Sequence, residues 1–201
     1  MTQIEKVKNI NYVSRFDIHQ RLRHLLLFLS MFILFLTGFP IKYGDTSWAK
    51  FSVSLFNGFE NMFNVHLIAG VAMIASGFYH ILWLIISFRK SGSPWSILPG
   101  KKDVLDAFNH AKFLLGLKKE RPKYARYNYL EKFEYYCVIY GILLMGISGI
   151  ILWFPQFATA ILPLWVIDMF RIAHSNEALV AMFAVVLGHF FWVHLNPDVF
   201  H

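Results

Sequence analysis

The sequence predicts an all-α integral membrane protein, a four-helix bundle with short interfacial helices and a basic cytoplasmic loop. Three observations predict it. Of 201 residues, 57% are hydrophobic and only 15% charged, against about half and about a quarter in soluble domains, so the solvent is lipid. Four apolar stretches each approach the roughly 20 residues a helix needs to cross a hydrocarbon core about 30 Å thick. Lysine and arginine fall almost entirely on one side of those stretches.

The first span runs from Leu22 to Ile41, with Pro40 and Gly44 marking its end. Thr46 to Asn64 then carries Trp48, Phe51, Leu55, Phe56, Phe59 and Phe63 at three- and four-residue spacing, the pattern of a helix lying in the interface. The second span is Val65 to Phe88. The loop Arg89 to Lys132 opens on a Ser91-Gly92-Ser93-Pro94 turn signal and holds an amphipathic surface helix from Asp103 to Leu117. The third span is Phe133 to Phe154, stopped by Pro155. Phe157 to Phe170 reads as a short interfacial loop, and the fourth span is Ile172 to Leu195, before Pro197. Residues 1–201 form one domain, without internal repeats or low-complexity runs.

The N-terminal segment through Arg23 holds five lysines and arginines and the loop eleven, whereas only Lys42, Lys50 and Arg171 lie on the other side. This bias puts both termini and the loop in the cytoplasm. It also explains the net charge of +7 without a nucleic-acid partner. Met1 to Arg23 lacks the pattern of a cleaved signal, so the first span is expected to be retained. The single cysteine, Cys137, excludes a disulfide framework, a thiolate cluster and a C-x-x-C-H attachment for covalent haem.

Histidines carry the chemistry. Six of nine lie within or at the ends of spans: His24, His66, His80, His174, His189 and His194. Ionisable groups are expensive in a membrane and face the bundle interior by default. His66 and His80, fourteen residues apart, lie within about 40° of one face and about 21 Å apart in depth. His174 and His189, fifteen apart, repeat this with an offset of about 60° and about 22 Å. Both spans run inward, so His66 and His174 share an outer level, and His80 and His189 an inner one. Opposed imidazoles at two levels fit two six-coordinate haems. His24 starts the first span at inner depth and competes with His80 as partner of His189. His194 is turned about 140° from His189, which makes a third haem a minor reading. His19, His110 and His201 sit in polar segments and read as surface residues. Gly70, Gly77, Gly188, Gly141, Gly146 and Gly149 suit a porphyrin face or close helix packing equally.

Several motifs resemble the b-type cytochrome (gamma) subunits of membrane-bound formate dehydrogenases and the related cytochromes of nickel-iron hydrogenases and thiosulfate reductases. The likeness spans nearly the whole chain: R-L-R-H-L (Arg21 to Leu25), L-T-G (Leu36 to Gly38), V-H-L-I-A-G (Val65 to Gly70) with Tyr79 and His80, the loop from Lys118 to Tyr135, H-S-N-E-A (His174 to Ala178), and G-H-F-F-W-V-H-L-N-P-D (Gly188 to Asp198). The resemblance implies two b haems and a menaquinone site near the cytoplasmic face of a bacterial or archaeal inner membrane. Carried over, His66 and His174 hold the outer haem, and His24 and His189 the inner one. The chain departs from the formate dehydrogenase pattern in having His80 and in its fifteen-residue rather than fourteen-residue spacing on the fourth span.

The expected function is electron transfer between quinone and an extracytoplasmic subunit carrying iron-sulfur clusters or multiple c haems. The chain is then the quinone-reacting part of a larger oxidoreductase complex. Arg15, Arg21 and Arg23 are candidate partners for inner propionates, and Lys42 or Arg171 for outer ones, or else all are flanking anchors. Asp17, Glu131 and Glu134 lie where quinone would need a proton donor, or they cap helices and pair with Lys132. Glu177, one turn past His174, is a candidate to orient a ligand or interact with the outer haem. Two other classes compete: a haem-free proton- or ion-conducting histidine bundle, which does not need paired levels, and a structural membrane anchor, which does not need six histidines.

Overall fold

A computed structural model of the chain describes residues 18–91, 96–120, 122–124 and 127–191. Four helices among these are long and apolar enough to cross a membrane. They are α1 (Ile18–Lys42), α3 (Phe59–Ser91), α5 (Tyr129–Trp153) and α7 (Leu164–Phe183), the last continuing into a π-helical turn, Ala184–His189. Shorter helices lie between them: α2 (Ser47–Leu55), α4 (Lys101–Leu114) and α6 (Pro155–Ile161).

Every span begins earlier than its apolar stretch, because hydropathy marks where lipid begins, whereas a helix continues into the interface. On α7 the extra turns carry Asp168 and Arg171, which stay exposed and pair with each other at 3.3 Å. The segment after Phe157 is therefore α6 plus the start of α7, divided by Pro163. α1 runs through Pro40 and closes one turn later, where the Tyr43 N–H donates to the Phe39 carbonyl at 2.9 Å. The interfacial segment after α1 breaks at Asn57 and Gly58, whose φ angles of 56° and 121° end α2 and let α3 start at Phe59. The turn signal at Ser91 to Pro94 lies mostly outside the described residues.

Outward faces are apolar: Phe28, Phe32, Ile68, Phe78, Leu143, Ile147 and Val180 are all exposed. Inward ones are small or polar: Ser30, Thr37, Ala69, Ser76 and Ser148 are buried. α1 packs along α3 and α5 along α7, and the two pairs meet more sparsely.

One end of the bundle carries α4. Asn128 and Glu131 cap α5 reciprocally, with N–H to carboxylate and amide-oxygen bonds of 2.9 and 2.8 Å. Lys132 is almost buried and donates to Asp103 at 2.9 Å and to the Leu98 carbonyl at 3.1 Å, clamping α4 to α5. His110 corrects the expectation of a surface residue. It is 5% exposed, its Nδ1 lies 2.9 Å from the Tyr129 hydroxyl, and it anchors the buried face of α4.

Candidate functional site

Two histidine pairs sit between the helix pairs, one near each end of the bundle. At the end away from α4, His66 of α3 and His174 of α7 face each other with ring centres 6.5 Å apart. Their tautomers follow from donor accounting. The Thr37 hydroxyl donates its proton to the Ile33 carbonyl at 2.8 Å and therefore accepts at 2.9 Å from His66 Nδ1–H. The Ser148 hydroxyl likewise donates to the Leu144 carbonyl at 2.6 Å and accepts at 2.8 Å from His174 Nδ1–H. Both rings thus keep the Nε2 lone pair free for a metal.

A glycine follows each hydroxyl. A β-carbon at Gly38 would lie 3.1 Å from His66 Cε1, and one at Gly149 would lie 3.3 Å from His174 Cε1. Thr37-Gly38 on α1 and Ser148-Gly149 on α5 are therefore the same device used twice, each cradling a histidine of the following span. Sequence reasoning passed over the hydroxyls. The signal was there as a hydroxyl-glycine dipeptide in the span before each histidine span. Gly77 and Gly146 instead serve helix contact, against Ile142 and Ile74, while Gly70 and Gly188 face open space.

At the α4 end, His24 of α1 lies against His189, with ring centres 5.8 Å apart. His189 Nδ1 is 3.2 Å from a Glu134 carboxylate oxygen, which can only accept, so Nδ1 carries the proton and in the neutral ring Nε2 keeps its lone pair. The π turn Ala184–His189 absorbs one residue of helical phase, so the fifteen-residue spacing from His174 works as about fourteen.

His80 is occupied elsewhere. The Arg23 guanidinium donates to its Nδ1 at 3.0 Å, which forces the ring proton onto Nε2, and Nε2–H donates to the Tyr135 hydroxyl at 2.7 Å. In this arrangement His80 has no free lone pair. Arg23 is 6% exposed, donates also to the His19 carbonyl at 3.1 Å, and stacks 4.1 Å over the Trp83 ring. Arg21 is exposed one turn from His24. Lys42 commits its ammonium to the Ser175 carbonyl, the Ser175 hydroxyl and Asn176 Oδ1 at 3.0, 3.3 and 2.7 Å, clasping α1 to α7 beside His174. Glu177 is half-buried, its Oε1 3.9 Å from where a β-carbon of Gly141 would lie, and has no hydrogen-bond partner among the described residues. Arg15, Asp17, His194 and His201 lie outside them.

A sequence model of the prokaryotic cytochrome b561 family matches residues 15–199. The chain belongs to that family. No individual curated protein matches it. This cytochrome is accordingly a prokaryotic membrane protein of electron transfer that binds haem b, in keeping with the resemblance to the cytochromes of hydrogenase-like complexes.

The residues of the cytochrome fit that group. An iron with two axial imidazoles, at about 2 Å per bond, separates the ring centres by roughly 6 Å, as both pairs do here. Three of the four rings have the Nε2 lone pair free, and glycines stand where a larger side chain would press on a histidine. Thr37 and Ser148, the hydroxyls that orient the outer histidines, are among the largest fully buried side chains of the described residues.

Proposed function

We propose that this cytochrome holds two b haems, one between His66 and His174 and one between His24 and His189. It exchanges electrons between an extracytoplasmic partner, an iron-sulfur or multihaem c subunit, and menaquinone or another quinone near the cytoplasmic side of the inner membrane. The observation that carries the reading is the pair of opposed histidine couples at opposite ends of the bundle, spaced as axial imidazoles are. The crowding of lysine and arginine up to Arg23 and from Arg89 to Lys132 supports both termini and the α4 end being cytoplasmic.

Haem b, when bound, supplies a one-electron iron couple. The chain's own residues hold and tune the ligands. Thr37, Ser148 and Glu134 take the Nδ1 protons, which orients the rings and raises their basicity. Arg21, on the His24 side of α1, serves a propionate at the α4 end. Glu177 interacts with the outer site from one turn below His174. His80 stays off the iron, because both of its nitrogens are engaged.

The test is a reduced-minus-oxidised spectrum of the purified protein, with haem counted per chain in His24→Ala and His80→Ala. One haem lost in the first and none in the second is expected. The reverse pattern rejects the inner pair, and absence of a b-type band rejects the two-haem reading.

A further inference from the structure

The cluster of Arg23, His80 and Tyr135 belongs to neither histidine couple, yet it contains an almost buried guanidinium and a histidine with both nitrogens engaged. We propose that it presents the Tyr135 hydroxyl as a hydrogen-bond donor to a carbonyl of the quinone headgroup, with His80 as the positioning residue. This rests on the quinone reading above.

The argument is one of proton accounting. Arg23 can only donate, so His80 is held neutral with its proton on Nε2. That proton goes to Tyr135 Oη at 2.7 Å, which occupies an acceptor position of the phenol and leaves the phenol's own proton to donate elsewhere. No acceptor for it lies among the described residues. The arrangement therefore turns a group that can donate or accept into one that donates outward.

The surroundings match a flat, carbonyl-bearing ligand with an apolar tail. Trp83 stacks on His80 at 6.2 Å and 17°, and Tyr136 meets Tyr135 edge-on at 5.4 Å, so aromatic rings surround the His80–Tyr135 pair. Tyr79 and Leu82, 41% and 59% exposed on the same stretch of α3, open that level to lipid, from which such a ligand would arrive. Tyr135 follows Glu134, the partner of His189, on α5, so the donor lies at the depth of the inner couple. A quinone oxygen gains negative charge as electrons arrive, and a fixed donor binds it more strongly then than before.

The test uses the haem-loaded full chain in detergent. Binding of dimethylnaphthoquinone, the menaquinone headgroup without its tail, is followed by quenching of tryptophan fluorescence, and haem is counted in every variant. Tyr135→Phe should weaken binding about tenfold, the value of one good hydrogen bond. His80→Leu should weaken it similarly. His80→Gln should restore it, because the amide oxygen accepts from Arg23 and the amide N–H donates to Tyr135. Haem content should match wild type throughout. Unchanged binding in Tyr135→Phe overturns the inference and leaves the quinone reading standing, whereas absence of binding by wild type overturns both. Failure of His80→Gln to rescue, or loss of a haem in it, removes His80 from the positioning role.

Discussion

The Thr37 hydroxyl accepts the Nδ1 proton of His66 across 2.9 Å, having committed its own proton to the Ile33 carbonyl. A backbone carbonyl of α1 thereby determines which nitrogen of a histidine on α3 is available. Ser148 repeats the arrangement for His174, so the two outer imidazoles are oriented by hydroxyls that are themselves fixed by helices.

Thr37→Val keeps the shape and removes the acceptor. The variant should bind the outer haem about tenfold or more weakly while leaving the inner one in place. Haem retention during dilution in detergent measures this, and equal retention by variant and wild type would show that the hydroxyl does not support the ligand.

Gly38→Ile should eliminate the outer haem. Its β-carbon would already lie 3.1 Å from His66 Cε1, and the branch adds bulk that the ring must evade. Gly44→Ala, whose β-carbon would make only an ordinary 3.7 Å contact with the Pro40 carbonyl beyond the end of α1, serves as the silent control. Haem per chain in the two variants is the readout.

Glu134→Gln retains an acceptor for His189 Nδ1 but removes a negative charge beside the inner couple. Haem content should hold while one of the two midpoint potentials rises by on the order of tens of millivolts. A redox titration that overlays wild type would remove Glu134 from the ligand's support.

The α4 clamp should be pH-sensitive. Desolvation pushes the Asp103 carboxyl up, but the Lys132 and Gly100 hydrogen bonds together with the Lys132 and Lys102 charges outweigh it and hold the group below its usual range. A depressed carboxylate contributes stability that is present above its unfolded value and lost as pH falls through the folded one. α4 should therefore stay docked above about pH 4 and loosen below it. Lys132→Met should loosen it at neutral pH, seen as faster tryptic cleavage within residues 96–120. Cleavage at the wild-type rate would count against the clamp.

The four spans, their order and the histidine levels were legible because a bilayer imposes one length and one polarity on anything that crosses it. Boundaries were less so. Asp168 and Arg171 look like the end of an apolar stretch, yet they ride on a helix that continues into the interface. His110 looked polar and exposed because its partner, Tyr129, is nineteen residues away and comes near only when α4 folds back on α5.

Sequence by itself determined that this chain lives in a membrane and carries histidines at two depths, because composition and helical period are local properties. Helical spacing favoured His80 beside His189, whereas the family resemblance favoured His24. Only the tertiary structure showed the surroundings of each, with Arg23 and Tyr135 from different helices on the two nitrogens of His80 and a π turn bringing His189 against His24, and the inner pair we propose rests on those contacts. Which lone pair stays free depends on partners far apart in the chain, and no spacing within one helix encodes that.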